Sequence, residues 1–468
     1  MRNHKLNSLA PRLSRREFIR VAGVGVTGYS LLPILDPLNV EAKESVKPRG
    51  GAEVCILLML QGGPSQVDTF DLKEGAWTPE DFDVQTVKPG LRMPVGTLPG
   101  LSRMTDKYAI ARSMGAWDLN HDRSIYYLQA GRTFSPNRVH EVPSIGSVLA
   151  YEYQDRRGET DFLPPFISFN INTDILVGCG MLPPSAAPMN IHSGRGAPAF
   201  VLSEDERAAF ERRQNFLKEL ENEWHDADHE RARIFSDLED YSASAFMLGN
   251  PKSGEIFTIT DEDRERYGKS QSGFGHLGFA CAMARNIIAA DAGTRFIFMQ
   301  HSSWDLHNNI YDKDYHWNQY TMNMELDLAL SKLLDDLETT TDDQGRPLID
   351  KTLVIAMGEF GRSGGALDEL KGRNHHIGSG VALFAGAGVK GGQIHGATNE
   401  TGDEITDFGW HKERPMYPED VLATIYSAMG VDWTKKITQT PSGRAFEYTE
   451  EISPKGPMDF GEISELFA

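Results

Sequence analysis

The feature that most restricts the fold is a set of short runs in which every residue is apolar: Val54–Leu60 (VCILLML), Phe296–Met299 (FIFM), Leu353–Met357 (LVIAM) and Val381–Ala385 (VALFA). A strand with one wetted face alternates apolar and polar residues, so an unbroken run marks a strand covered on both sides. Polar, glycine-bearing loops and helically spaced segments lie between the runs. In residues 319–338, for example, Met322, Leu326, Leu330, Leu333, Leu334 and Leu337 recur at helical spacing. This alternation predicts a three-layer α/β domain, with a mostly parallel central sheet and helices on both faces. Further strands are expected at Tyr108–Ser113 and Phe166–Phe169. Helices are expected from a Ser144 cap after Pro143, over about 275–290 and over 418–430. Residues 72–100 and 178–200, rich in turn formers, read as loop. From Ser203 to about Phe246 a charged helical pattern opens with Ser203 and Glu206 at capping-box spacing and predicts a peripheral helical insert.

In open α/β sheets, ligands collect where loops leave the carboxyl ends of strands. Ser65, Asp68 and Asp71 follow the first run in QGGPSQVDTFD. Asp305 and His307 follow the second in HSSWDLHNN, two positions apart. From a loop both can reach one cation, whereas a helix would place them on different faces. Between the third and fourth runs lie GEFGR and GRNHH, which carry Glu359, Arg362, Arg373, Asn374, His375 and His376. A carboxylate, two arginines and two histidines between core strands point to a functional site rather than to solvated loops. His121, in WDLNHD, is either substrate-facing or support for such a site, or an ordinary surface histidine.

The first 42 residues carry six Arg or Lys against three Asp or Glu, so the remainder bears −23 of the total −20. So acidic a body disfavours nucleic acid and anionic membrane surfaces as partners. Arg15-Arg16 precede the weakly apolar stretch VAGVGVTGYSLLPIL and the small-residue site Val40-Glu41-Ala42. That order is the pattern of a twin-arginine export signal ending near residue 42. A polar linker over 43–52 follows. The stretch is shorter than the ~20 apolar residues that span a bilayer, so no stable membrane span is expected after cleavage. A periplasmic or secreted protein, handled by the twin-arginine export machinery, is the expectation. Three separated cysteines (Cys55, Cys179, Cys281) form no metal or redox spacing.

LQGGPSQVDTFDLK, Arg112-Ser113-Met114, Asn120-His121, the Gly293–His307 stretch, GEFGR, GRNHH and PEDVLATI together resemble the domain-of-unknown-function 1501 family, within the alkaline phosphatase-like superfamily. The resemblance spans residues 53–468 and implies a divalent metal (Zn, Mn or Ca) at the carboxyl edge. It also implies a hydrolase of phosphate or related sulfate and phosphonate esters, on small-molecule or glycan-borne substrates. On these motifs Asp305 and His307 are similar to the first two metal ligands, with His375 or His376 closing the set, and Glu359 and Asp68 hold or orient the cation. Ser65, or a water activated by the ion, would attack phosphorus or sulfur, with His121 and Arg362 as further catalytic candidates. Arg373 and Asn374 would contact substrate. The superfamily's acid and histidine are separated by three residues, but only Leu306 separates Asp305 from His307. Asn374 also stands where the superfamily has an Asp, so a single metal is expected. The formylglycine sulfatase signature is absent. Two alternatives stay open: that Ser65 caps the following helix, and that the protein is a non-catalytic binding or scaffold protein on the same fold.

Overall fold

The centre of the molecule is β1 (Val54–Leu60), whose seven residues are all buried. The computed structural model describes residues 46–195, 250–268 and 276–468, with a few helical positions between 205 and 216. The stretch expected to be an export signal and nearly all of the expected 203–246 helical insert lie outside the described residues. The other strands of the main sheet are β2 (Tyr108–Ala111), β3 (Phe166–Phe169), β4 (Met189–Ile191), β5 (Phe296–His301), β6 (Thr352–Met357), β7 (Ala382–Ala385) and β8 (Ile394–His395). Across the sheet they run β8-β2-β7-β6-β1-β5-β3-β4. All pair in parallel except β7, which is antiparallel to both β2 and β6.

Helices cover both faces, as the unbroken runs require. On one face Ile56, Leu58, Ile297, Met299, Val354 and Ala356 join a core with Ala280, Ala284 and Ile288 of α3 (Leu277–Ala290) and Met322, Leu326 and Leu330 of α4 (Gln319–Thr339). On the other, Phe166 and Phe296 pack edge to face at 5.3 Å beneath α2 (Ile145–Glu152), where Gly146 leaves room for both rings. Each Ile, Leu or Phe so buried contributes roughly 1.5–3 kcal/mol. The Ser144 side chain accepts from the Ser147 N–H, the expected cap.

Several elements were not legible in the sequence. β4 lies in the segment read as loop and is three residues long, too short for any period to show. A hairpin, Val84–Lys88 with Leu91–Pro94, occupies the turn-rich 72–100 stretch. α1 (His121–Ala130) occupies a stretch to which no element was assigned. Asn120 caps it by accepting from the Arg123 N–H, and Asp122 stands in its first turn, a favourable place for an acid.

Register decides what meets at the edge. Leu60 pairs with His301 and Met59 with Met357, so the loops after β1, β5 and β6 leave together. Ala382 lies opposite both Met357 and Ala111. The segment entering antiparallel β7 and the segment leaving β2 therefore arrive at that same edge.

The closing helix α5 (Pro418–Ala428) carries one unusual group. Glu419 is 1% exposed and accepts the Trp117 Nε1–H at 2.9 and 3.0 Å, while burial pushes its pKa from 4.5 to about 8. A raised folded pKa means the native state binds the proton more tightly than the unfolded chain. This contribution to stability is complete below pH 4.5 and is lost as pH rises through about 8. Urea unfolding at several pH values should show a fall across that window. In Glu419→Gln the fall should be shallower.

Candidate metal centre

The loops that leave this edge touch backbone to backbone. Gly62 has φ +112°, and a Cβ there would lie 2.3 Å from the Asp305 nitrogen. A Cβ on Gly372 would lie 1.9 Å from the His307 carbonyl oxygen. Gly62→Ala should therefore cost about 1–3 kcal/mol in conformational strain before the clash is counted. A lowered urea midpoint would register it.

Four side chains converge from three segments. His121 Nε2 lies 3.1 Å from His375 Nε2 and 3.3 Å from Asp305 Oδ1, and His375 Nε2 is 3.1 Å from that oxygen. His307 Nε2 stands beside them, 2.9 Å from Asp305 Oδ1 and 3.0 Å from His375 Nε2. The outer ring nitrogens set the tautomers. His375 Nδ1 is 2.8 Å from the Leu119 carbonyl, which can only accept, so the proton sits on Nδ1. His121 Nδ1 donates to Glu359 Oε1 at 2.7 Å, an oxygen that also accepts the Gly62 N–H at 2.8 Å. When neutral, both imidazoles thus present Nε2 lone pairs toward the same carboxylate oxygen.

Three acceptors facing one another need a cation or a proton between them. Donors at 2.0–2.1 Å around a tetrahedral ion lie about 3.3 Å apart, close to the spacing here. One donor atom from each of His121, Asp305 and His375 lies within 4.8 Å of the others. Glu359 Oε2 is buried with no hydrogen-bond partner among the described residues, a second sign that the site wants positive charge. Burial opposes a charge on His121, but hydrogen bonds to Asp305 and Glu359 outweigh it and lift its pKa to about 9. Without an ion, a proton on His121 Nε2 therefore bridges to Asp305. Burial would raise Asp305, yet His121 and Arg362 hold its carboxyl well below the usual carboxylate range. Burial, then the Arg362 charge, pushes His307 below the usual imidazole value.

The expected ligands are redistributed. Asp305 and His375 meet, as the resemblance implied. His121 joins them, and Glu359 stands behind His121. His307 Nε2 faces Arg362 Nη1 at 3.2 Å, so its lone pair is already engaged. His376 turns away, its Nε2 lying 2.7 Å from the Asp403 carbonyl, because neighbours on a strand point to opposite sides.

The roles expected of the two arginines, catalysis for Arg362 and substrate contact for Arg373, need correction. Arg362 uses all five N–H bonds, on Gly63 O, Arg373 O, His307 Nε2, Gly62 O and Asp305 Oδ1. Arg373 does the same, on Ser363 O, Gly365 O, Tyr311 and both Asp68 oxygens. Each is 1% exposed, and neither has an N–H left for substrate. Asp68 is Arg373's buried counter-ion and not a member of the histidine cluster. Ser65, expected either to face the cleft or to cap a helix, does neither. It is 4% exposed and its hydroxyl donates to Asp68 Oδ2 at 2.6 Å. Asn374 is exposed, its backbone paired with Ser363.

No curated protein matches the chain. Among solved structures, similarity extends to an alkaline phosphatase superfamily protein from Vibrio parahaemolyticus (12% identity, TM-score 0.39, 82% of this chain and 69% of that one). It extends also to the PsFucS1 sulfatase from Pseudoalteromonas sp. (13%, 0.37, 90% and 72%). A third is the phosphonate monoester hydrolase SpPMH from Silicibacter pomeroyi (10%, 0.35, 81% and 73%). The profile described as "Protein of unknown function (DUF1501)" matches residues 52–455, and the chain therefore belongs to the DUF1501 family.

Proposed function

We propose that this protein is an exported, divalent-metal-dependent hydrolase of phosphate or related esters, with His121, Asp305 and His375 holding the ion. The observation that carries this is the triangle of acceptor atoms whose outer nitrogens are tied to Glu359 and Leu119. Metal-binding histidines are typically oriented in this way by a carboxylate or a backbone carbonyl. A Zn²⁺- or Mn²⁺-like ion would polarise an ester oxygen and make a neighbouring water more acidic. Glu359 fixes His121, the Leu119 carbonyl fixes His375, and Arg362 anchors Asp305. His307, at the rim, adds an imidazole kept neutral near pH 7. Water is the nucleophile in this reading, since the Ser65 hydroxyl is committed to Asp68.

Elemental analysis of purified protein, followed by a screen of aryl phosphate, phosphodiester and sulfate esters with Zn²⁺, Mn²⁺ or Ca²⁺, tests the proposal. Ser65→Ala should keep turnover within about threefold while losing about 1–3 kcal/mol of stability, from a buried carboxylate oxygen deprived of a donor. A hundredfold loss of turnover would restore Ser65 as nucleophile. A binding protein on the same fold is the second reading, favoured by the saturated arginines. Metal-loaded protein that turns over none of these esters would establish it. Export rests on the Arg15-Arg16 motif: replacing both with Lys should retain the precursor in the cytoplasm on fractionation. Among the described residues no helix is long and apolar enough to cross a membrane.

A further inference from the structure

Resting on the metal-dependent reading, we infer that Phe360 is a positioning residue of the candidate metal centre, its ring fixing the planes in which His121 and His375 present Nε2. The Phe360 ring centre lies 4.9 Å from that of His121, tilted by 42°, and 4.7 Å from that of His375, tilted by 34°. The two imidazoles are themselves 4.5 Å apart at 76°. The three rings thus close a triangle of their own, and Phe360 is only 5% exposed.

Hydrogen bonds alone leave an imidazole loosely aimed. The last torsion of a histidine is broad, and an N–H···O bond keeps much of its strength through tens of degrees of misalignment. Groups that share one ion must be held to about 0.5 Å and 10–20°, which takes packing as well. The Nδ1 bonds to Glu359 and to the Leu119 carbonyl fix one edge of each ring. An aromatic wall common to both removes the remaining swing. That wall is itself braced, since a Cβ on Gly63 would lie 2.8 Å from Phe360 Cδ2. On either side of it, a Cβ on Gly358 would lie 2.2 Å from Pro64 Cδ, and one on Gly361 2.0 Å from the Ser379 carbonyl oxygen. GEFGR therefore braces all three donors while contributing none. Glu359 holds His121, Arg362 holds Asp305, and Phe360 packs on both histidines.

Zn²⁺ affinity, read by chelator competition, tests the inference beside urea unfolding of the metal-free protein. Phe360→Leu and Phe360→Met fill much of the ring's volume without a flat face. Each should lower affinity by at least about tenfold, as loss of an orienting partner does. Phe360→Tyr keeps the face and should stay within about threefold. Co²⁺ bound in place of Zn²⁺ reports ligand geometry through its visible absorption, which should change in the Leu and Met proteins and not in the Tyr protein. A phenylalanine that serves packing alone would lower the urea midpoint and leave affinity and spectrum as they were. Unchanged affinity or an unchanged Co²⁺ spectrum in the Leu and Met proteins overturns the inference, as does a Tyr protein that loses as much affinity as they do. If His375→Ala still loses the ion in that case, the metal centre stands and only the role of Phe360 falls. Native protein that binds neither Zn²⁺ nor Co²⁺ overturns both.

Discussion

His375→Ala should lower Zn²⁺ affinity by at least about 100-fold, read by competition with a chromophoric chelator. Loss of an orienting partner alone typically costs 10–100-fold, and removing a donor costs more. Without the His375 imidazole, Asp305 and His121 face each other across 3.3 Å with no third donor from the β7 side. Glu359→Gln is the companion variant. It keeps an acceptor for the His121 Nδ1–H but removes the charge behind it, and a loss of about 10–100-fold is expected. Affinity unchanged in His375→Ala would remove the triangle as a metal centre, whatever activity remained.

Asp68→Ala should destabilise the fold by about 3–5 kcal/mol, the cost of leaving a buried charge without its partner. Arg373 and Asp68 side chains are 1% and 2% exposed, joined at 2.7 Å. Asp68 also accepts from Ser65 and from Tyr311, at 2.6 and 2.5 Å. Removing the carboxylate strands all three donors. The double variant Asp68→Leu with Arg373→Met should recover part of the loss, because no unpaired charge remains, while Ser65 and Tyr311 still lack their acceptor. Urea unfolding of metal-free protein separates the two roles considered for Asp68. A metal ligand would matter little there, whereas a counter-ion matters fully. No loss of stability in the metal-free Asp68→Ala protein would refute the counter-ion role.

Both predictions concern residues that the sequence brought to notice without assigning their work. Asp68, Arg373, His307 and His375 all stand out as polar groups beside apolar runs. Which of them are placed to share an ion and which brace the loops depends on acceptors such as Leu119 O, Gly62 O and Ser363 O. Backbone carbonyls are the same in every residue, so no pattern of side chains marks these.

What the sequence determined by itself was local. VCILLML, FISF and LVIAM became β1, β3 and most of β6, because continuous burial on both faces leaves a direct imprint on residue choice. The 319–338 periodicity became α4 for the same reason. Strand direction leaves no such imprint. VALFA reads alike whether it runs with β6 or against it, yet only the antiparallel β7 keeps all of residues 358–381 at one edge and so carries His375 to Asp305. Likewise the short β2 is visible in the chain, whereas α1 and its Asn120 cap are not. That α1 begins within reach of a loop 254 residues away is set by register across the sheet. Side-chain pattern is a property of each segment, whereas direction, register and the choice of hydrogen-bond partner exist only between segments, and the candidate metal centre is built wholly from the latter.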